Sequence, residues 1–531
     1  MLVIYNAHLY THELYQPVAT AIAIDHGRIL AVGNDDQILA SFSTANIINA
    51  DGRTVMPGLI DAHIHLEDFA LGLRKIDCET DSLDECLQRV ALRVITTPPG
   101  EWVLGHGWNQ NNWDEGYGTA SMLDEIAPNN PVYLTHKSLH CAWANSTALH
   151  LAGITPDTSD PVGGRISRLP DRQPDGILFE SAMGVLEQAL PEPNLEQVTE
   201  ALRAAIPLLW KMGLTSVHDF DGMRCYSALQ VLHQRHELNF RVHKAIHLED
   251  LPGTVAAGLH SGSGDDFLQL GPLKMFSDGA LGPHTAAMLA PYEDEPGSGG
   301  MLMLDAAAVF EHGRIAVENG IHLAIHAIGD RANREVLNGL AKLRDLEASR
   351  NAYGQSRLRH RIEHVQVVHP DELSRFNGLE VIASMQPIHA TSDMHMADLC
   401  WGKRSAYAYA WRSLAANQAK LIFGSDAPVE TPNPFLGLYA AVTRRRADGT
   451  PSPEGWYPDQ RLSITEALQA YTTGPAYAAG MEDRLGKLLP GYLADLIIIN
   501  DNPYTCSPEE FLLMHPSAVM VSGEWVFSEL D

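Results

Sequence analysis

Eight short apolar segments, several of them separated by helical segments, constrain the fold of this chain more than any other feature. One ends at His63 and His65, and the other seven are predicted at residues 214–219, 240–246, 270–276, 321–326, 358–364, 380–385 and 420–424. Helices are predicted at residues 306–319, 333–346 and 370–376. Apolar strands without polar alternation need cover on both faces, which parallel strands joined by helices obtain. The chain is therefore predicted to be an α/β protein whose centre is a (β/α)8 barrel, or TIM barrel.

The two ends of the chain show a different pattern. Short strands in which apolar and polar residues alternate are separated there by turn residues. Residues 21–33 near the start and residues 494–500 and 518–527 near the end show it. Two β-rich ends around a different middle predict one small β-sandwich domain built from both termini. The predicted order is a first sandwich segment at residues 1–55, barrel strand one at 56–66, a long insertion or lid subdomain at 67–187, the remaining barrel at 188–482 and a second sandwich segment at 483–531.

The charge balance argues against polyanionic partners. Lys and Arg number 37 and Asp and Glu 66, so the net charge is −29. Nucleic acid and anionic membrane surfaces would both repel such a chain, so neither is expected as a partner. The partner we expect is a small molecule. An acidic barrel of this size is often a homo-oligomer, but the sequence offers no patch from which to argue the subunit number.

Cysteine use and hydropathy indicate a cytoplasmic protein. The six cysteines are scattered and form no Cys-x-x-Cys pair, which fits a reducing compartment. The first residues lack the basic start and continuous apolar core of a signal peptide. No run approaches the roughly 18 apolar residues that a membrane span needs.

Side chains with metal-binding chemistry follow the strands at one end of the predicted barrel. They are His63 and His65 on strand one, Lys274 on strand four, His326 on strand five, His364 on strand six and Asp426 after strand eight. Residues two apart in a strand point the same way, so the imidazoles of His63 and His65 can converge on one cation. Active sites of such barrels lie at the carboxyl ends of the strands. A metal centre is therefore predicted there.

Each of these side chains, taken alone, also has a structural explanation. A histidine at a strand end is often a hydrogen-bonded core residue, Lys274 could extend along apolar surface, and Asp426 could cap a turn. Their joint occurrence at five strand ends, where burial of polar groups is costly, favours the metal centre.

The predicted insertion is rich in Gly, Trp, His and Asn and follows directly on the first histidine pair. Long loops are usually functional, so the insertion is expected to cover a substrate pocket. His140 and Trp108 are the candidates for substrate contacts, with packing into the insertion's own core as the alternative for any Trp. Glu180, at the end of the run Asp175-Gly-Ile-Leu-Phe-Glu180, has no role that the sequence assigns.

The order His-x-His, Lys, His, His, Asp resembles the amidohydrolase superfamily of metal-dependent hydrolases. Longer runs resemble the subgroup that includes N-substituted formamide deformylase, an amidohydrolase family 3-like group. They are His326-Ala-Ile-Gly-Asp330, Arg361-Ile-Glu-His364, Ser384-Met-Gln-Pro-Ile-His389, Gly424-Ser-Asp-Ala-Pro-Val429 and Gly491-Tyr-Leu-Ala-Asp-Leu-Ile-Ile-Ile-Asn500. The resemblance covers essentially the whole chain and is specific for the subgroup, but weak for the substrate.

The resemblance implies a binuclear centre. His63, His65 and Asp426 would hold one divalent ion, and His326 and His364 the other. Lys274 would bridge both ions as a carbamate formed with carbon dioxide, because two anionic oxygens suit paired cations and an ammonium does not. Histidine and oxygen ligands suit Zn, with Mn or Fe as alternatives.

The activity implied is hydrolysis of a carbon–nitrogen bond (amide, formamide or N-acyl) other than a peptide bond in a small molecule, by a water that the metal ions activate to hydroxide. Asp426 would take the water's proton and pass it to the leaving nitrogen. Asp219, Asp278 and Asp330 would orient histidine ligands. Two alternatives stay open: a mononuclear deaminase of a cyclic amidine on the same fold, and a non-catalytic scaffold.

Overall fold

The computed structural model describes residues 1–13, 15, 17–110, 113–137, 141–161, 163–350 and 357–530. The chain forms two compact units, one made of Met1–Phe69 with Leu202–Asp531 and the other of Ala70–Ala201. Two helices, Leu66–Gly72 and Leu195–Lys211, contain the points at which the chain passes between the units. Among the described helices, none combines the length and the apolar composition that crossing a membrane requires.

The first unit contains the (β/α)8 barrel that the sequence predicts. Its eight parallel strands are β1 (Leu59–Ile64), β2 (Leu214–Asp219), β3 (Arg241–Ile246), β4 (Leu268–Phe276), β5 (Leu323–Ala327), β6 (Arg361–His364), β7 (Ile382–Met385) and β8 (Leu421–Phe423). Each strand pairs with the next one along the chain. Every residue of β1, β2 and β3 is buried, as strands covered on both faces require.

Helices follow the barrel strands and supply the outer cover. They are Met223–Gln234, Leu251–Ala256, Ala306–Glu318, Asp330–Arg350, Leu373–Gly378, Pro387–Trp401, Trp411–Ala416, Pro434–Thr443, Ile464–Ala470 and Thr473–Ala478. The predicted strand at 358–364 is shorter than expected and begins at Arg361. The carbonyl of Leu358 accepts a hydrogen bond of 2.8 Å from the Arg344 guanidinium rather than joining a strand ladder.

The barrel closes where the end of β1 meets the segment after β8. The backbone nitrogen of Asp426 donates to the carbonyl of His63 at 2.7 Å, and the nitrogen of His65 donates to the carbonyl of Ala427 at 2.9 Å. Ile64 and Ala427 form the corresponding parallel bridge. Three of the predicted metal ligands therefore lie on the two segments that complete the barrel.

Both ends of the chain build the β-sandwich. One sheet has the order Arg28–Gly33, Ala21–Asp25, Leu2–Tyr5, Asn46–Asn49, and the other has the order Glu524–Ser528, Pro516–Val521, Leu496–Ile499, Thr54–Pro57, His8–Tyr10, Val18–Ala19. The helix Asp35–Ser41 packs on the first sheet. Apolar side chains from both sheets meet in one buried core, among them Ile4, Ile22, Ile24, Val55, Leu496, Ile498 and Met520. This arrangement confirms the predicted sandwich from both termini.

The second unit contains a six-stranded mixed sheet of its own. Its order is Gly164–Arg168, Pro174–Glu180, Cys141–Ala144, Val132–His136, Val103–Trp108, Ile76–Asp77, and its helices are Leu83–Thr96, Ala120–Ile126, Ser146–Leu151 and Ser181–Glu187. Two apolar clusters form its interior, one of them rich in tryptophan. The insertion therefore has its own core.

A buried ion pair joins barrel strand β3 to the C-terminal sandwich segment. Asp495 accepts hydrogen bonds from Nε and Nη2 of Arg241 at 2.6 and 2.8 Å, and both side chains are only 2% exposed. The same guanidinium donates to Ser522 Oγ at 2.7 Å and to the carbonyl of Asp266 at 2.8 Å. Every charged atom of the pair therefore has a partner, which burial of a charge requires.

We expect Asp495→Ala to lower the free energy of unfolding by about 3–5 kcal/mol, because it leaves the Arg241 guanidinium buried without its counter-ion. The matched control is Glu380→Ala, which removes an ion pair with Arg357 in which both side chains are about half exposed. That variant is expected to cost about 0–1 kcal/mol. Denaturant unfolding of both variants checks the prediction, and equal losses would contradict it.

Candidate metal centre

Three of the predicted ligands surround one point at the carboxyl end of the barrel. Nε2 of His63 and Nε2 of His65 each lie 3.4 Å from Oδ1 of Asp426. The ligand atoms of these three residues all lie within 4.8 Å of one another, which is close enough for one cation. His63 and Asp426 are buried and His65 is partly exposed. The sequence spacing and the barrel closure thus bring the predicted triad together.

The two other predicted histidines continue this cluster. The ring centroid of His364 lies 4.9 Å from that of His63 and 4.5 Å from that of His326. Oδ2 of Asp426 lies 3.9 Å from Nδ1 of His364. The imidazoles of β1, β5 and β6 therefore form one continuous group beside a single carboxylate.

Each of the four imidazoles has one ring nitrogen held by a neighbouring acceptor. The pairs are His63 Nδ1 with Glu363 Oε2 at 2.6 Å, His65 Nδ1 with Asp221 Oδ1 at 3.1 Å, His364 Nδ1 with Gln386 Oε1 at 3.0 Å and His326 Nε2 with the carbonyl of Gly279 at 2.9 Å. An acceptor on one nitrogen fixes the tautomer and leaves the lone pair of the other nitrogen for a metal. The hydrogen-bond pattern is that of metal-binding histidines.

One unsatisfied atom supports this interpretation directly. Nε2 of His63 is buried and has no hydrogen-bond partner among the described residues. A buried polar atom without a partner costs about 1–3 kcal/mol. A metal ion between His63, His65 and Asp426 would satisfy it, so the residues present fit a divalent cation.

The charge state of the histidines agrees with such a cation. Burial, followed by the nearby Lys274, lowers the pKa of His63 to about 4, and burial lowers that of His326 to about 4 as well. These rings are therefore neutral at pH 7 and can bind metal. His65 differs: burial alone would lower its pKa, but its contacts with Asp221 and Asp426 outweigh burial and raise the pKa to about 10. A bound cation would replace the positive charge that the proton on His65 supplies beside Asp221 and Asp426.

Glu363 is held as a carboxylate inside the barrel. Burial alone would raise its pKa, but the charge of Arg361 and the contact with His63 keep it well below its usual range. Arg361 binds both carboxylate oxygens of Glu363 from the same strand. His63 is thus oriented by a carboxylate whose own geometry is fixed.

Lys274 lies on β4 among aromatic rings. Its side chain is 3% exposed, and Nζ lies 4.6 Å from the ring centroid of Phe220 and 4.8 Å from that of Phe276. Burial lowers the pKa of Lys274 to about 8, although the charges of Glu363 and Asp426 act in the opposite direction. A larger fraction of this amine is therefore neutral at pH 7 than for an exposed lysine.

The three aspartates expected to orient histidines all accept hydrogen bonds from backbone nitrogens. Asp219 pairs with Lys244 at 2.9 Å and accepts from the nitrogen of Leu66 at 2.8 Å. Asp330 accepts from the nitrogen of Leu289 at 2.7 Å. Asp278 accepts from three backbone nitrogens, those of Ala287, Ile328 and Gly329, while its Oδ1 lies 3.6 Å from Nε2 of His326. Asp278 therefore lies beside a histidine of the centre, although its hydrogen bonds go to the backbone.

Four residues at the centre were not assigned from the sequence. Glu363, Asp221 and Gln386 hold histidines, and His389 lies beside His364 with nearly parallel rings 6.4 Å apart. Nε2 of His389 is buried and has no hydrogen-bond partner among the described residues. A ligand atom of His389 lies within 4.8 Å of those of His364 and Asp426. The sequence does contain a signal for Glu363. It is a carboxylate inside an apolar strand, and a buried carboxylate needs a partner.

The two candidate substrate contacts fall in the second unit. Trp108 is fully buried there, donates from Nε1 to the carbonyl of Leu134 at 2.8 Å and packs against Trp113 and Trp143. This is the core packing left open as the alternative for a tryptophan, and a substrate contact by Trp108 stays a prediction. His140 lies outside the described residues.

Several known proteins are similar to this chain over most of its length. A profile of the amidohydrolase family matches residues 46–527. Protein LONG AFTER FAR-RED 3 of Arabidopsis thaliana is 33% identical over 95% of this chain and 88% of its own length. N-substituted formamide deformylase of Arthrobacter pascens is 28% identical over 98% of this chain and 97% of its own length. The crystal structure of an uncharacterized metal-dependent hydrolase from Pyrococcus furiosus is 27% identical, with a TM-score of 0.79 over 95% of this chain and 100% of that one.

We expect Glu363→Gln to weaken metal binding about 10- to 100-fold, because the amide no longer provides the carboxylate that orients His63. The matched control is Glu372→Gln, a buried glutamate that pairs with Arg334 and Arg375 instead of a histidine. Metal per chain, measured after equilibration with buffered free Zn2+, checks the prediction. Equal metal content in both variants and the wild type would remove Glu363 from this role.

Proposed function

The chain belongs to the amidohydrolase family and is a metal-dependent hydrolase, and from this premise we propose that it hydrolyses a carbon–nitrogen bond, other than a peptide bond, in a small molecule. The bonds proposed are amide, formamide and N-acyl bonds. The observation that carries the proposal is the set of three oriented imidazoles beside the carboxylate of Asp426, with a fourth, that of His326, next to His364. The relative whose name specifies formamide cleavage supports the choice of bond.

Two divalent ions are proposed at this centre, with Zn2+ as the preferred metal. His63, His65 and Asp426 would hold one ion, and His326 and His364 the other. Imidazole and carboxylate ligands suit Zn2+, while Mn2+ and Fe2+ accept the same donors. Bound ions of this kind supply a water of lowered pKa and polarise the carbonyl that is to be cleaved.

Lys274 is proposed to carry a carbamate that would help to hold both of the proposed ions. Its neutral amine would attack carbon dioxide, form the nitrogen–carbon bond and release one proton to solvent. The buried setting, which holds the pKa of Lys274 near 8, supports this by enlarging the neutral fraction. The product would be an anion beside the two proposed cations, which would repel an ammonium.

Asp426 is the proposed proton carrier. Burial alone would raise its pKa, but the interactions with the imidazoles of His63 and His65 outweigh burial and keep the pKa well below its usual range. The group is therefore a carboxylate at pH 7 and can accept a proton from water as the water oxygen bonds to the carbonyl carbon. It then returns the proton to the nitrogen as the carbon–nitrogen bond breaks, which gives a carboxylic acid and an amine.

His389 is proposed to position the substrate. Its Nε2 is buried and lacks a hydrogen-bond partner among the described residues, yet it lies beside His364 and Asp426. An imidazole in this position can hydrogen-bond with a substrate oxygen or nitrogen, and this bond would give the buried Nε2 a partner.

A substrate screen tests the proposed reaction. Protein loaded with Zn2+ in bicarbonate is incubated with N-substituted formamides, N-acyl amines and N-acyl amino acids, and the released acid and amine are quantified. Cleavage of one of these classes is expected. Release of ammonia from cyclic amidines without cleavage of any N-acyl compound would overturn the proposal.

We expect Asp426→Asn to fold normally but to lose turnover by at least about 100-fold, because an amide cannot accept the proton. The matched control is Asp266→Asn, which alters an ion pair with Arg484. Asp266 lies just before β4, at the end of that strand that is opposite to the candidate metal centre. Turnover and thermal unfolding of both variants are measured together. Retained turnover in Asp426→Asn would exclude this residue as the proton carrier.

We expect Lys274→Ala to lose activity and to regain part of it when a short carboxylate such as propionate is added, since the carboxylate can occupy the space of the carbamate. Lys244→Ala is the matched control, because Lys244 is equally buried on β3 but pairs with Asp219. Added propionate is not expected to rescue that variant. Native mass spectrometry of the wild type should show one added carbon dioxide, and an unmodified, fully active wild type would contradict the carbamate.

A further inference from the structure

A second cluster of metal-ligating side chains lies outside the centre described above. His284 belongs to the segment between β4 and the helix Ala306–Glu318, as does Asp294, and Cys400 lies near the end of the helix Pro387–Trp401. Nε2 of His284 lies 3.1 Å from Sγ of Cys400 and 3.3 Å from Oδ2 of Asp294, and Sγ of Cys400 lies 3.5 Å from the same Oδ2. Three potential ligand atoms thus form a compact triangle.

The cluster is separate from the histidine centre. The same helix carries His389 near its start and Cys400 near its end. Eleven residues of α-helix span about 16 Å, at about 1.5 Å per residue. The triangle is therefore too far along the helix to share an ion with His389.

The triangle has the size of one face of a tetrahedral zinc site. Bonds of about 2.0 Å to nitrogen and oxygen and about 2.3 Å to sulfur place tetrahedral ligand atoms roughly 3.3–3.5 Å apart. The three observed separations, 3.1, 3.3 and 3.5 Å, are close to this range. The side chains would need only small shifts to bind one ion.

The orientation of His284 is a second, independent indication. Its Nδ1 lies 3.1 Å from Oε2 of Glu295, so that Nε2 faces Cys400 and Asp294. A carboxylate on the distal nitrogen is the usual support of a metal-binding histidine.

We propose that His284, Asp294 and Cys400 bind one additional transition-metal ion, with Zn2+ as the best match and a solvent molecule as the fourth ligand. One thiolate, one imidazole and one carboxylate suit Zn2+, whereas Ca2+ and Mg2+ prefer oxygen ligands alone. On binding, the thiol of Cys400 loses its proton to solvent and the sulfur bonds to the ion.

The ion would link two segments that are more than 100 residues apart in the chain. The segments already touch, because the nitrogen of Glu293 donates to the carbonyl of Cys400 at 2.9 Å and Arg404 donates to the carbonyls of Ala290 and Pro291. The first segment also contains Gly279, whose carbonyl holds His326. The additional ion thus braces the segment that orients a ligand of the histidine centre.

Cobalt substitution tests the proposal without relying on activity. Co2+ bound by a thiolate gives a sulfur-to-metal charge-transfer band in the near ultraviolet, and no residue proposed for the histidine centre supplies sulfur. We expect this band in the Co2+-loaded wild type, its loss in Cys400→Ala and its strong weakening in Asp294→Asn. Metal per chain should fall by one ion in Cys400→Ala.

The matched control is Cys225→Ala, since the thiol of Cys225 is likewise grouped with carboxylates, those of Asp219 and Asp221. This variant is expected to keep the band and the full metal content. A band that survives in Cys400→Ala and disappears in Cys225→Ala would overturn the proposal. So would a wild type that shows no band, in which case the triangle is a hydrogen-bonded cluster only.

Discussion

The salt bridge between Arg361 and Glu363 inside the barrel is the interaction on which the metal centre depends. Both side chains are almost fully buried, and a buried charge is tolerated only when its partner and its hydrogen bonds are in place. Glu363 in turn accepts from His63 at 2.6 Å and so fixes the tautomer of a predicted metal ligand. The same guanidinium on β6 also ties the barrel together through the carbonyl of Ala62 on β1 at 2.5 Å, Ser384 on β7 at 2.9 Å and His218 on β2 at 2.8 Å. The guanidinium of Arg361 therefore connects four barrel strands and also holds the carboxylate that orients His63.

Much of the fold and of the candidate site could be predicted from the sequence because both follow from local patterns. The apolar segments predicted the eight barrel strands, and the strand ends carried His63, His65, His326, His364 and Asp426, which the structure brings together. What the patterns could not provide was the groups that orient these ligands. Glu363 lies 300 residues from His63 along the chain, and no spacing rule connects them.

Three aspartates illustrate what a position at a strand end leaves open. Asp219, Asp278 and Asp330 all follow apolar strands, yet most of their hydrogen bonds go to backbone nitrogens. Backbone N–H groups at strand ends and histidine rings can both donate to such carboxylates, and the sequence does not show which of them does. Asp221, two residues beyond the end of β2, reaches His65 instead. The cluster of His284 and Cys400 is likewise not evident from the sequence, because tertiary packing alone brings its residues together.

Closure of the barrel and assembly of the site are one structural event. Asp426 has φ of +60° and His364 has φ of +73°, conformations that cost non-glycine residues of the order of 1 kcal/mol or more. The hydrogen bond from the nitrogen of Asp426 to the carbonyl of His63 holds the first, and the bonds of Ser425 to Asp61 hold the segment before it. Because these bonds also join β8 to β1, the strained carboxylate can face the histidines only in the closed barrel. The predicted metal ligands on these two segments therefore come together only when the barrel is closed.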